Sequence, residues 1–351
     1  MMADLLGKWF EWKLRESSIK RKLDSIKSSE AGSKDKVKGV RAAAVQRRVS
    51  PVRNMEAYAD VAESFVKSAA EQGCDIIAFP EYNFLDLLGI IPGFAALNRY
   101  LNGRSASPGD GPGMVMAGLY SVLFSISASI QNAVEQIMCG LALKYRIYIY
   151  TGSYFINEGG QLYNGGAVIS REGEILGRQK KMHLTDFEEQ LGIKRADEFM
   201  TFSLDIGKVT FPVCMDATYY EVFNLARSRG CDIVVLPIAN NEEYRLYRAL
   251  RGIWPRVQES HVYGIKSSLN GWFCGMHFTG KAGIFAPIAM TAREDGVVSI
   301  SKYFEGDSLI TGDIDLEELY KERDDDEYYG DCNPVFEKGY YQSTYFLSLK
   351  G

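Results

Sequence analysis

The spacing of hydrophobic and polar positions changes repeatedly along the chain, and each change marks an element. The short apolar run "VRAAAVQ" from Val40 reads as a buried strand. In "NMEAYADVAESFVKSAAEQG", Ala59, Ala62, Phe65, Val66 and Ala69 recur at helical spacing, which predicts a helix stopped by Gly73. "CDIIAFPEY" returns to a continuous apolar run and predicts a buried strand with Glu81 just past its end. "LYNGGAVISREGEILGRQKKMHL" predicts two strands about a turn at Glu172–Gly173, the second running into Lys180, Lys181 and His183. In "KVTFPVCMDATYYEVFNLARSRGCDIVVLP" an apolar strand ends at Cys214 and a second apolar run closes the unit. "REDGVVSISKYFE" and "SLITGDIDLEEL" supply further strands near the C-terminus. Strands alternating with helices favour a layered α/β architecture.

Four regions depart from this alternation. Residues 1–38 read as an amphipathic extension followed by the polar linker "SSEAGSKDK", with the main domain spanning 39–351. Leu5, Trp9 and Trp12 share one helical stripe, Leu6, Phe10 and Leu14 lie beside it, and Ile19, Leu23 and Ile26 continue the pattern. A basic aromatic helix of this kind can lie on an anionic membrane surface. Docking on its own domain or on a second subunit is the preferred expectation, because packing is the usual reason for an amphipathic stripe. Residues 84–112, rich in Gly and Pro, read as an insertion or long loop. The stretch 111–134 carries no charge and is long enough to span a bilayer. Ser121, Ser125, Ser127, Ser129, Gln131 and Asn132 dilute it, which favours a buried or oligomer-facing helix over a lipid-facing one. The acidic "KERDDDEYYGD" and the aromatic tail after it read as a surface arm.

Composition narrows the function classes. With 46% apolar and 24% charged residues among 351, the chain has the make-up of an ordinary globular protein. A net charge of -5 gives no global reason to expect a nucleic-acid partner. The six cysteines form no C-x-x-C pair and there are three histidines, so a zinc site is poorly supported. Scattered thiols suit a reducing compartment, and the opening residues lack the pattern of a secretory signal. The expected address is the cytoplasm, with peripheral membrane contact through residues 1–30 or 111–134 as the variant reading.

Taken singly, the candidate chemical residues are unremarkable. A glutamate past a strand end is commonly solvated, a lysine in a basic cluster commonly sits on the surface, and a cysteine ending an apolar strand is commonly inert core. Taken in order, "AFPEY" with Glu81, "KKMHL" with Lys181 and "PVCMD" with Cys214 resemble the motifs of the nitrilase superfamily, the carbon–nitrogen hydrolases. Glu221 fills the acidic slot seven residues after the cysteine, and the resemblance covers roughly residues 38–345. Met215 and Thr218 depart from it, standing where the family often has an aromatic residue and an arginine.

The resemblance implies a four-layer α-β-β-α sandwich of two mixed sheets, assembled as a homodimer or higher oligomer. It implies a cysteine nucleophile, Cys214, with Glu81 moving its proton and Lys181 stabilising the oxyanion beside a backbone N–H near Met215. A second glutamate is implied within "DFEEQ", and the preceding "HLTDFE" selects Glu188 over Glu189. Asp216 and His183 are expected to be structural, and Tyr82, Tyr219, Asn240 and Met215 to line the substrate pocket. No metal and no organic cofactor is implied. The reaction implied is hydrolysis of a non-peptide C–N bond in an amide or carbamoyl-type substrate through an acyl-thioester. Nitrile hydrolysis, acyl transfer to an amine, and a catalytically silent scaffold of the same fold are the alternatives.

Overall fold

The computed structural model describes residues 2–26, 39–103, 112–250, 252–326, 333–336 and 338–340, with side chains of the helix beginning at Pro112 described from Gly118 onward. The linker "SSEAGSKDK", the end of the acidic arm with Cys332 (residues 327–332) and the aromatic tail from 341 lie outside the described residues.

Two mixed sheets form the centre. In the first, strands Val40–Arg48, Ile76–Ala78 and Tyr148–Tyr150 run parallel, with Ala43 beside Ile77 and Ile77 beside Ile149. Antiparallel strands Tyr154–Glu158, Gln161–Ile169 and Ile175–Lys180 extend one side, and Ser308–Ile314 pairs antiparallel with Val40–Arg48 on the other. The second sheet contains Thr201–Leu204, Gly207–Thr210, Ile233–Ile238, Tyr263–Phe273, Gly283–Phe285 and Val297–Ile300. They join where Gln46–Arg48 pairs in parallel with Ser268–Asn270, so the strands form one continuous, folded-over surface.

The two-residue period of a strand decides the layers. Ala42 and Ala44 face inward with Ile76 and Ala78, against Val209, Phe211, Ile233, Val235 and Ile265 of the second sheet. Tyr150 stacks on Phe211 across this core, with ring centroids 4.8 Å apart. Ala43, Val45, Ile77 and Ile149 face the other way, beneath helices Met55–Glu71 and Pro112–Tyr145. Val234 and Leu236 do the same on the second sheet, beneath helices Tyr220–Ser228 and Ile253–Ser260. The expected four-layer α-β-β-α sandwich is present. Strands buried on both faces carry unbroken apolar runs, which explains why they were legible in the sequence.

The irregular regions differ from their expected form. Residues 84–112, expected as an insertion or long loop, include a 3-10 helix Leu85–Ile90 and a helix Phe94–Asn102. Leu85, Leu87 and Leu88 are buried, and buried Asp86 pairs with buried Arg47 while accepting the Ser50 N–H at 2.7 Å. Gly89 is needed there because a Cβ would lie 2.4 Å from the Val52 carbonyl oxygen. The uncharged stretch is the front of the helix Pro112–Tyr145, and Ile126, Ile130, Ala133, Val134 and Ile137 are buried. Among the described residues, no helix is long and apolar enough to cross a membrane.

The N-terminal extension forms two helices, Met2–Lys13 and Glu16–Ser25, broken at Arg15, whose backbone is extended. Phe10, Leu14, Ile19 and Ile26 are buried, whereas Leu5 and Trp12 are 63% and 51% exposed. Of the two adjoining stripes, the one carrying Phe10 and Leu14 faces the protein, with Leu6 and Trp9 partly buried against the same core. Gly7 rests against the Ser125 carbonyl, Lys144 donates to the Ile26 carbonyl at 2.5 Å, and Lys22 pairs with Asp60 at 2.6 Å. The extension docks on its own domain.

Candidate active site

Glu81, Lys181 and Cys214 each follow a strand, and Glu188 stands in a short helix after Lys181. After Ile76–Ala78 the chain passes through Pro80 to Glu81, and Tyr82 then adopts a left-handed φ of 53°, its N–H donating to Ser153 Oγ at 3.0 Å. Lys181 follows strand Ile175–Lys180 and is tied to its neighbour by an N–H donated to the Asn164 carbonyl at 2.7 Å. Glu188 lies in the short helix Asp186–Leu191, where it forms a capping box with Thr185. Cys214 opens the 3-10 helix Cys214–Thr218 with a φ of 44°. That left-handed conformation is uncommon for a non-glycine residue, and such strain concentrates at functional positions.

Lys181, Glu81 and Glu188 meet in the interior, each no more than 1% exposed. The Lys181 ammonium donates to Glu81 Oε1 at 2.8 Å and to Glu188 Oε2 and Oε1 at 2.8 and 3.1 Å. Asn164, buried in strand Gln161–Ile169, donates its amide to Glu81 Oε1 at 2.9 Å and to Glu188 Oε1 at 2.7 Å. The Ala239 N–H reaches Glu81 Oε2 at 3.0 Å. Thr185 donates to Glu188 through both its N–H and its hydroxyl. Glu189 is exposed and pairs with Arg195, so of the two adjacent glutamates only Glu188 enters the cluster.

Asp216 joins the lysine loop to the cysteine loop. Its carboxylate accepts the N–H groups of Val213 at 2.9 Å, Met182 at 3.2 Å and His183 at 2.7 Å, and contacts His183 Nδ1 at 2.9 Å. Three backbone donors on one buried carboxylate hold Lys181 and Cys214 in a fixed relation. This is the structural part expected of Asp216 and His183.

The electrostatics follow from burial. Burial first, and then the adjoining Glu81 charge, push the Cys214 thiol well above its ordinary range, while Lys181 and the Ala239 N–H pull the other way. Burial also raises Glu81, against the opposing effect of Lys181. Burial pushes Glu188 up too, but the Lys181 charge and the hydrogen bonds from Lys181, Thr185 and Tyr82 outweigh it and hold the group low. Burial disfavours the Lys181 cation, yet Glu81, Cys214 and Glu188 together keep its pKa raised. The arrangement is a protonated thiol beside a carboxylate that binds a proton more readily than usual, with a fixed cation between that carboxylate and an ionised one.

The expected pocket residues separate. Asn240 Oδ1 lies 3.7 Å from the Cys214 sulfur and accepts from it. The Tyr82 hydroxyl is committed to Glu188 Oε1 at 2.7 Å, making it a support for that carboxylate. Tyr219 stacks on His183 at 4.0 Å and is partly exposed, and Met215 contacts the Thr218 hydroxyl. Glu221 is exposed in the first turn of helix Tyr220–Ser228. Sequence reasoning missed Asn164, whose one signal was a polar residue followed by two glycines inside a strand. It also missed the Ala239 N–H, a backbone group with no signature. Among the described residues, His261, Glu322 and Asp326 group closely enough to hold a metal ion, and none of them shares in the hydrogen bonds of this cluster.

The family model described as carbon-nitrogen hydrolase matches residues 41–324. A Bacillus subtilis (strain 168) protein named probable hydrolase YhcX is 26% identical over 290 residues, covering 81% of this chain and 51% of its own. Human omega-amidase NIT2 is 27% identical over 210 residues, covering 57% of this chain and 64% of its own. The chain thus spans about half the length of the first relative and just under two thirds of the second. Among solved structures, a mutant of the Nesterenkonia AN1 amidase, described as from the nitrilase superfamily, aligns with a TM-score of 0.60 at 19% identity, covering 82% of this chain and 95% of its own. A mutant of that amidase in complex with butyramide aligns with the same TM-score and identity, covering 81% of this chain and 94% of its own. At such identity the likeness speaks for the fold.

Proposed function

Because the chain belongs to the carbon–nitrogen hydrolase family, we propose that it hydrolyses the C–N bond of a small amide through an acyl-thioester on Cys214. The observation that carries this reading is the buried Glu81–Lys181–Glu188 cluster set beside a cysteine in a left-handed backbone conformation.

The chemistry follows from the placement of protons. Glu81 takes the thiol proton as Cys214 Sγ attacks the carbonyl carbon, giving a tetrahedral oxyanion. The charge of Lys181, with a backbone N–H near Met215, offsets the charge developing on that oxygen. Glu81 returns the proton to the nitrogen, the C–N bond breaks, and ammonia or an amine departs. Water then attacks the thioester, giving its proton to Glu81. The carboxylic acid leaves and the proton returns to sulfur. Glu188, held low by its donors, keeps Lys181 charged throughout, and no cofactor enters the cycle. Amide is favoured over nitrile because two of the similar proteins are named as amidases and "CMDA" after the strand departs from a nitrilase-like context.

The test is ammonia release from a panel of small, aromatic and long-chain amides and nitriles, comparing wild type with Cys214→Ala. Turnover by wild type, reduced about 10⁴-fold or more in a variant that keeps its circular dichroism, is the expected result. Equal release by the two proteins would remove Cys214 from the reaction.

A further inference from the structure

The side-chain amide of Asn164 is satisfied at one end and bare at the other. Fully buried in strand Gln161–Ile169, it donates from Nδ2 to Glu81 Oε1 at 2.9 Å and to Glu188 Oε1 at 2.7 Å. Its Oδ1 is buried with no donor among the described residues. The amide cannot turn over to relieve this, because Oδ1 would then face two carboxylates. A buried acceptor left without a donor costs about 1–3 kcal/mol, so the residue is worth keeping only for its donor end. The strand cannot withdraw either. A Cβ on Gly165 would lie 2.6 Å from the Gln179 carbonyl oxygen, and one on Gly166 2.0 Å from that of Gly152, so the backbone after Asn164 is pressed between its neighbours.

Counting lone pairs shows what that donor end does. A carboxylate oxygen offers two. Glu81 Oε1 accepts from Lys181 at 2.8 Å and from Asn164 at 2.9 Å, which uses both. Glu81 Oε2 accepts the Ala239 N–H at 3.0 Å, and the same N–H acts on the Cys214 sulfur, so Oε2 is the oxygen on the cysteine side and has a lone pair to spare. Among the described residues, the titratable groups that act on Glu81 or feel its charge are Lys181, Glu188, Cys214, Tyr82 and Tyr150. Of the two groups that fill Oε1, Lys181 is shared with Glu188 as a cation, and Asn164 is the neutral one.

We propose that Asn164 is a positioning residue for proton transfer: by filling the second lone pair of Glu81 Oε1 and bridging to Glu188, it reserves Oε2 as the atom that takes the Cys214 proton. The S–H bond then breaks as an O–H bond forms at Oε2, and the electron pair left on sulfur goes to the electrophilic carbon. Asn164 itself gains and loses no proton. This rests on the reading of Glu81 as the base for Cys214, but it is tested without turnover of any substrate.

The test is alkylation of Cys214 by iodoacetamide, read at that residue by peptide mass spectrometry across pH, in proteins that keep their circular dichroism. The wild-type rate should fall on acidification as Glu81 gains a proton, and Glu81→Gln should abolish the fall. In Asn164→Ala the ionised Glu81 loses a donor, so the midpoint of the fall should rise by about one pH unit. Asn164→Asp keeps the shape and puts an acceptor in the donor's place; its midpoint should rise at least as far, and it serves alone if the alanine variant does not fold. Tyr82→Phe removes a donor from Glu188 only and should move the midpoint less than half as far. A merely structural role would slow alkylation at every pH without moving the midpoint. That result, an equal shift in Tyr82→Phe, or a fall that persists in Glu81→Gln would each overturn the proposal. A wild-type rate with no acidic fall would remove Glu81 as the base, and the proposal with it. If the shift is present while wild type releases no ammonia from any amide, the part assigned to Asn164 stands and the proposed hydrolysis fails.

Discussion

Lys181 and Lys266 are both buried lysines in the same sandwich, yet they occupy opposite electrostatic situations. Lys181 lies between two carboxylates, each 2.8 Å away, and stays charged because those partners outweigh its loss of hydration. Lys266 has an aromatic ring and a like charge for neighbours, and its pKa falls. The contrast separates two settings of a buried cation. One is completed by the protein's own carboxylates. The other has no carboxylate partner among the described residues.

The largest expected effect comes from breaking the completed site. Lys181→Met leaves two buried carboxylates facing each other, so a stability loss of about 3–5 kcal/mol is expected in denaturant titration, with turnover abolished. Acidification should recover part of that loss, because a protonated carboxyl no longer repels its neighbour. A loss no greater than that of an ordinary surface substitution would contradict the account of the cluster.

Loosening the frame should cost less. Asp216→Asn replaces one accepting oxygen with a donor facing backbone N–H groups, at an expected cost of about 1–3 kcal/mol. Because Asp216 acts by positioning, kcat should fall by roughly 10- to 100-fold with a smaller change in KM. Restoration of neither stability nor kcat by Asp216→Glu would fit the geometry, since the longer side chain cannot keep all three N–H contacts.

The smallest effect should have the opposite sign. Lys266→Met removes an uncompensated cation, so the ligand-free protein should gain roughly 1 kcal/mol at neutral pH. The folded-state pKa of Lys266, about 8, lies below its ordinary value of 10.5. Between those values the folded protein is neutral at this site while the unfolded chain still binds the proton, so wild-type stability climbs with pH. The lead of the variant should therefore shrink across that window. Matched denaturant titrations at neutral pH and near the unfolded value would show it, and a constant difference would mean that Lys266 does not titrate as described.

Much of the fold was legible because its strands are buried on both faces and carry apolar runs that need no partner to be recognised. The helix Met55–Glu71 was legible for a similarly local reason: its apolar positions repeat at helical spacing, and Asn54 caps it by accepting the Ala57 N–H. Residues 84–112 were not, because the buried pairing of Asp86 with Arg47 that organises them joins distant parts of the chain. The N-terminal helices were half legible for a related reason. Two adjoining apolar stripes were visible, and the surface of helix Pro112–Tyr145 selected Phe10 and Leu14 over Leu5 and Trp12.

By itself, the sequence determined the alternation of elements, the family resemblance, and the candidate residues Glu81, Lys181, Glu188 and Cys214, since each stands in a local motif. Tertiary structure alone decided that Asn164, Tyr82 and the Ala239 N–H would close around the carboxylates, that Asp216 would tie two loops together, and that Lys266 would be buried near Asn240 with no carboxylate partner among the described residues. Glu81 and Lys181 are 100 residues apart, and Ala239 lies 158 residues beyond Glu81. Strand register sets such meetings. Register is a property of paired chains, and no single run of residues contains it.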